Sequence, residues 1–473
     1  MKLSSVNQRF IQGLSSVLPP EAVRLTEPRY LEDPRGIYQG NAGMIVAPNS
    51  VEQVVHIIRA AGQARVGVVP YGGGTGLVGG QIIADESAPV LLSLERMNKI
   101  RETYSADSVM IAEAGVVLHD IQAAALDAGR LFPLSLASEG SCQIGGNLST
   151  NAGGVNVLRY GNARNLCLGL EAVMPDGQIW NGLKRLRKDN TGYDLRDILI
   201  GAEGTLGVIT AAALRLFPLP EHTGAAMIVV KDPAAAIALL NLAHGQVGEA
   251  VSAFELIHRT GLEFLTETMP EVRQPFKDQP EWMVLIDLGL SGGLDPEKAL
   301  MDIFELALAN DLASDGVVAQ NEGQRKELWA LRESIPLANK RIGSIASHDI
   351  ALPINLIPEF IKKGSEVISK AGIFRINCFG HVGDGNLHYN VFPPNGRSKS
   401  DFPDMPPVIR RIVHDLVAEF DGSFSAEHGV GRLKVEDLEH YGDPAKLSAM
   451  RAIKSALDPL GIMNPGAVLR CQN

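Results

Sequence analysis

Apolar residues recur at helical spacing over 50–64 (SVEQVVHIIRAAGQA), behind a serine suited to accept a free backbone N–H at a helix start. The apolar run 66–70 (VGVVP) that follows has the length of a buried strand, so a helix is expected to feed a strand and then a glycine loop. Further strands are expected over 107–117 and 168–174, with helical periodicity over 118–128, which makes the first part of the chain mixed α and β. At 217–221 the pattern changes to FPLPE, where two prolines suit the end of a strand and the passage into a new unit. Beyond it, helices are expected over 233–244, 296–309 and 358–371, and strands over 283–288 and 374–379. The tail 450–469 reads as a helix ended by Gly461 and then a Pro-Gly turn.

A chain of 473 residues exceeds the size of one ordinary hydrophobic core, so at least two domains are expected, over 1–220 and 221–450, with a final segment 451–473. Lys and Arg total 43 against 54 Asp and Glu, a net charge of −11 that argues against a broad nucleic-acid footprint but leaves a local basic site open. The N-terminal stretch lacks the basic, apolar and small-residue succession of an export signal, and no apolar run approaches ~20 residues. A cytoplasmic protein without a membrane span is the expectation. Cys142, Cys167, Cys378 and Cys471 form no C-x-x-C pair, so the spacing of a zinc ribbon or iron–sulfur cluster is missing and reduced thiols are expected.

Glycine concentrates at 71–80 and 140–161. Gly74, Gly76 and Gly79 have G-x-G-x-x-G spacing, but Gly80, Pro89 and a strand-like VLLSL follow where a dinucleotide fold needs a helix. The loop can still present successive N–H groups to a phosphate without a helix dipole. The second stretch, PLSLASEGSCQIGGNLSTNAGGVNVLRYG over 133–161, separates Gly145-Gly146 from Gly153-Gly154 with hydroxyl and amide side chains, and can lay backbone against a flat ring. A third loop, 201–207, ends in a strand.

RINCFGHVGDGNLHYNVF places a Gly-Asp-Gly-Asn turn between two alternating runs, which predicts a β-hairpin with His381 on one arm and His388 on the other. Two imidazoles on one face suit Zn²⁺ or Mn²⁺, and Glu427 in FSAEHGVGRLK is the candidate for a third ligand, which would leave a coordination position open for substrate. His56, His119, His222, His244, His258, His414 and His440 read as ordinary core or surface residues.

The three glycine stretches together resemble the FAD domain of the vanillyl-alcohol oxidase and p-cresol methylhydroxylase superfamily, and the C-terminal half resembles its D-lactate and D-2-hydroxyglutarate dehydrogenase branch. The resemblance implies an α+β architecture: a two-part FAD-binding domain, an α+β substrate domain with an antiparallel sheet, and a tail that returns to the FAD domain. It implies that Pro70, Gly72, Gly73, Gly74, Thr75, Gly76 and Leu77 wrap the FAD pyrophosphate, followed by Gly79 and Gly80. Pro133, Ser138, Gly140, Gly145, Gly146, Thr150, Asn151, Gly153, Gly154 and Gly161 are implied along the isoalloxazine and the rest of the dinucleotide. Glu203, Gly207 and Ile209 fall on the adenosine side, and Asn464 returns to the flavin. The first loop has neither His nor Cys, so non-covalent FAD is expected.

The same resemblance implies oxidation of a D-2-hydroxy acid, with His428 as general base or as the residue orienting Glu427, Arg332 on the substrate carboxylate and Asn390 bonding the substrate. Relatives that oxidise D-2-hydroxyglutarate carry a threonine four residues after the arginine and a lysine two before the aspartate of D-[IL]-x-L-P; Pro336 and Ser347 stand there. D-2-hydroxyglutarate, D-malate and D-lactate therefore stay open as substrates, with His348 a replacement contact. Electrons are expected to leave to an electron-transfer flavoprotein or a quinone-linked acceptor, and a homodimer is possible. A flavin subunit of a glycolate-oxidising complex and a non-enzymatic flavin scaffold are the rival readings.

Overall fold

The computed structural model describes residues 3–84 and 88–471. The chain forms two compact units, one built from 1–153, 161–219 and 427–473, the other from 154–160 and 220–426. These boundaries fall at 219/220 and 426/427, against 220/221 and 450/451 expected from sequence. The short segment 154–160 joins the second unit because Arg159 donates to Gly289 O (2.8 Å) and Ser252 Oγ (3.0 Å).

The first unit has two principal sheets. One is mixed, in the order Val23–Arg24, Met44–Val46, Val90–Ser93, Val68–Tyr71, with the last three strands parallel. Its feeding helix Val51–Ala64 is capped by the side chain of Ser50, as the sequence pattern suggested. The other sheet is antiparallel, in the order Ile100–Tyr104, Val109–Glu113, Val208–Arg215, Cys167–Val173, Ile179–Gly182. No helix follows the first glycine loop before the strand Val90–Ser93 among the described residues, which excludes a dinucleotide fold of the G-x-G-x-x-G kind. The tail returns to this unit: Val68 N–H donates to Ile462 O and Asn464 N–H to Val68 O, both at 2.8 Å.

The second unit is a seven-stranded antiparallel sheet with helices on both faces. Its order is Ala313–Val318, His222–Val230, Trp282–Leu290, Val251–His258, Arg375–Gly380, Asn386–Phe392, Asp349–Ala351. Helices Pro233–Val247, Pro296–Ala309, Ile357–Ala371 and Met405–Glu419 cover one face, against Phe254, Leu256, Val284, Ile286 and Leu387. Asp232-Pro233 and Asp295-Pro296 start two of these helices, the aspartate accepting a first-turn N–H and proline occupying a position that needs no donor. Helices Arg259–Thr268 and Glu322–Ile342 cover the other face, against Ile257, Leu285 and Phe379. Strand side chains alternate between faces, so Glu255 and Asp287 lie on this second face, in register with Leu285 and Ala253.

Candidate active site

The glycine loop after strand Val68–Tyr71 opens into a cleft of the first unit holding about 830 Å³ of space unfilled by protein atoms, mouth included. Of the residues assigned to FAD, Pro70, Gly72, Gly73, Gly74, Thr75, Gly76, Gly80, Gly145, Gly146, Thr150, Glu203, Gly207, Ile209 and Asn464 line it. The cradle has no room for a side chain at Gly73, where a Cβ would collide with the Ser141 carbonyl, while one on Gly72 would make ordinary contact with Gly146 at 3.5 Å. Gly146 itself faces open space. A cleft walled by glycine backbone in this way suits a dinucleotide whose phosphates need backbone N–H groups.

Leu77, Gly79, Pro133, Ser138, Gly140, Asn151, Gly153, Gly154 and Gly161 are not on that wall. Two of them shape the loops. Ser138 O closes a turn on the Ser141 and Cys142 N–H groups, and Asn151 ends the helix Ile144–Thr150 in a left-handed conformation while its Oδ1 accepts from Arg164 N–H. Ser149, one of the hydroxyl side chains of the second glycine stretch, lines the cleft as well, and Tyr71, Gln81, Gln143 and Asn147 line it without having been singled out. Gln81 donates to Gly76 O at 2.9 Å and so braces the loop, a contact for which a lone glutamine gives no sequence signal.

His428 also lines the cleft. The turn after it hangs on Glu203, whose Oε1 accepts from Val430 N–H (2.7 Å) and Oε2 from Gly431 N–H (2.8 Å). Gly429 and Gly431 both have positive φ; a Cβ on the first would sit 2.7 Å from Glu203 Oε1 and one on the second would strike Val78 O. This close approach explains the spacing of G-V-G. Burial pushes the Glu203 carboxyl up to about 7, against the two N–H bonds and the charges of Arg432 and Lys434, which pull it down. Arg432 fastens the same turn to the glycine loop and the tail through Gly79 O, Gly80 O and Asn464 Oδ1.

The hairpin of the second unit forms as expected: Arg375–Gly380 pairs antiparallel with Asn386–Phe392, in register Phe379↔His388 and Asn377↔Asn390. His381 sits one residue past its strand rather than on it, at the start of the turn 382–384. The rings of His381 and His388 lie 5.6 Å apart between centroids, nearly perpendicular. Next to His388 on the sheet is Asp349, whose carbonyl accepts from Ala426 N–H at 3.3 Å, and Glu427 is the next residue of the chain. Within the first unit, Glu427 Oε1 lies 3.5 Å from His428 Nε2.

Arg332, on helix Glu322–Ile342, is only 5% exposed, so it is not a solvent-facing helical arginine. Its Nε and Nη2 point at Glu255 Oε2 (2.8 and 2.7 Å), and its guanidinium lies 4.8 Å from the centre of the Phe379 ring. The other oxygen, Glu255 Oε1, takes His381 Nδ1 at 2.6 Å. Burial by itself would raise this carboxyl, but His381 and Arg332 outweigh it and hold Glu255 well below the usual carboxylate range. Glu255 was not singled out in the sequence. With Nδ1 donating to a carboxylate, Nε2 is the His381 nitrogen that would face an ion, the arrangement usual for metal-bound histidines, so the donor set suits a divalent metal. Asn390 Oδ1 accepts from His348 N–H at 3.0 Å. Ser347 Oγ is paired with Ser344 Oγ at 2.7 Å, and Pro336 lies inside helix Glu322–Ile342.

Two family patterns match: an FAD binding domain over residues 42–182, and the C-terminal domain of FAD-linked oxidases over 219–468. The chain is 35% identical over 462 residues to a D-2-hydroxyglutarate dehydrogenase of Xanthomonas citri pv. viticola, covering 96% of each. It is 34% identical over 476 residues to the mitochondrial D-2-hydroxyglutarate dehydrogenase of Bos taurus, covering 99% of this chain and 85% of that one. Among solved structures, p-cresol methylhydroxylase with substrate bound shares the fold, with a TM-score of 0.76 at 15% identity over 99% of both chains. By these matches the chain belongs to the FAD-linked D-2-hydroxy-acid dehydrogenases, a branch of the flavoproteins built on the p-cresol methylhydroxylase fold.

Proposed function

We propose that the chain oxidises a D-2-hydroxy acid to its 2-oxo acid, with FAD held non-covalently in the glycine-walled cleft and a divalent ion held by His381, His388 and Glu427. The observation that supports the reading is the buried set in which one carboxylate, Glu255, joins the Arg332 guanidinium to His381 Nδ1. When bound, FAD supplies the acceptor for the hydrogen at C2 and the divalent ion the Lewis acidity that lowers the pKa of the hydroxyl.

The protein's own groups do the rest. Arg332 binds the substrate carboxylate through the guanidinium edge not turned to Glu255. Asn390, on the same sheet face as His388, orients the substrate by a hydrogen bond from its amide. His428, on the cleft wall beside Glu427, takes the hydroxyl proton. The relatives' names support D-2-hydroxyglutarate, while Pro336 and Ser347 offer no charge to a second carboxylate, so D-malate and D-lactate belong in the same test. That test is anaerobic mixing of the flavin-loaded protein with the D- and L-forms of these acids. Bleaching of the flavin by D-forms is expected; bleaching by L-forms alone, or by none, refutes the proposal.

A further inference from the structure

A carboxylate at the middle of a sheet covered by helices on both faces is costly unless every lone pair is used. Glu255 is wholly buried in strand Val251–His258, and the pairings Leu256↔Gly380 and Ile257↔Phe379 bring it opposite His381. It divides its two oxygens, one to His381 and one to Arg332. Neutralising Arg332 would require only one of these contacts. Nor does stability account for the set, since buried ion pairs seldom outperform well-packed apolar residues.

We propose that Glu255 is a positioning residue that sets the metal-binding nitrogen of His381 and the carboxylate-binding edge of Arg332 as one unit. The proposal rests on the reading of His381 as a metal ligand and Arg332 as the substrate's cation. Holding Nδ1–H, Glu255 fixes the imidazole tautomer and leaves Nε2 as the donor to the ion. Occupying Nε and Nη2, it turns the Nη1 side of the guanidinium toward substrate, and Phe379 beneath fixes the plane of the fork. A change at Glu255 therefore perturbs both partners together.

The experiment compares FAD-loaded wild type with E255Q. Zn²⁺ affinity is read by chelator competition, KM and kcat with the best D-2-hydroxy acid, and folding by flavin content and melting temperature. The amide of E255Q can accept from one partner only and turns its NH₂ toward the other. Zn²⁺ affinity should fall about 10–100-fold and KM should rise about 10-fold or more, with flavin retained. Wild-type Zn²⁺ affinity and KM in E255Q overturn the proposal. Should E255Q fail to fold, E255Q/R332Q removes both charges and leaves no unpaired ion; it should show the same loss of Zn²⁺ affinity, and wild-type affinity there overturns the proposal equally. H381A separates the two levels of inference. If H381A binds Zn²⁺ normally, the metal reading itself fails; if H381A loses Zn²⁺ while E255Q keeps it, only the role of Glu255 fails.

Discussion

Replacing Glu203 with glutamine should flatten part of the pH dependence of stability. Burial raises this carboxyl from 4.5 to about 7, because the desolvation cost of the anion exceeds what the N–H groups of Val430 and Gly431 return. A carboxyl that binds its proton more tightly when folded stabilises the protein at low pH. That contribution is complete below about 4.5 and is lost as pH rises through about 7. Between pH 5 and pH 8 the loss is about 2 to 3 kcal/mol, at about 1.4 kcal/mol for each pH step between the two values. In E203Q the amide, nearly isosteric with the protonated acid, does not titrate. The assay is urea unfolding of the FAD-loaded wild type and E203Q at pH 5 and pH 8, with thermal melts alongside. The wild type should lose about 2 to 3 kcal/mol more than the variant across that interval, equivalent to roughly 2 to 3 °C if all 473 residues unfold together. Parallel profiles for the two proteins would refute the assignment of a raised carboxyl to Glu203.

Three other outcomes are expected. His381→Ala should keep the flavin colour while substrate no longer bleaches it, as followed by anaerobic visible spectra. Arg332→Met removes charge-assisted hydrogen bonds worth about 1.5 to 3 kcal/mol each, so KM should rise about 10- to 100-fold in steady-state assays. Gly73→Ala forces a methyl group onto the Ser141 carbonyl, so the purified protein should carry little FAD, as read from the ratio of visible to ultraviolet absorbance.

Elements with strong periodicity and clear punctuation were legible from the residues alone. The helix Val51–Ala64, the helices opened by Asp-Pro and the hairpin around Gly-Asp-Gly-Asn all carry their own start and stop signals. The helix Ile144–Thr150 was not, because its glycine pair lowers helical propensity and only its packing against strands Val208–Arg215 and Val109–Glu113 secures it. At the site, the histidines were legible through the hairpin, whereas Glu255 was not. In VSAFELIH a single glutamate among apolar residues reads as the solvent side of a half-buried strand. Of the helices that bury it, Arg259–Thr268 follows the strand directly, but Glu322–Ile342 comes from more than sixty residues further along the chain, and no local pattern announces that it packs here. Glu203 was placed at the cleft, but the destination of its carboxylate, more than two hundred residues away, is a tertiary fact.

Two of the buried carboxylates on one face of the second sheet, Glu255 and Asp287, differ in a way that bears on how the substrate would be held. Burial pushes Asp287 up, although Arg325 and Trp329 both donate to its Oδ2, whereas Glu255 is held down by partners on both oxygens. Glu255, held low, offsets the formal charge of Arg332, so on the proposed function the arginine would act on a substrate carboxylate by geometry more than by net attraction. On the proposed function the attraction would then come largely from the divalent ion, since a unit charge at ~4 Å contributes about 4 kcal/mol at an effective dielectric of ~20 and the neighbouring ion pair offsets itself. Stripping the ion with a chelator should thus weaken binding of the 2-oxo acid product at least as much as Arg332→Met does, while FAD stays in place. Titrating metal-free and Zn²⁺-loaded protein with the product, and following the perturbation of the flavin spectrum, measures this directly. Equal affinity in the two forms would mean that Arg332 retains an effective charge, and that Glu255 does not neutralise it.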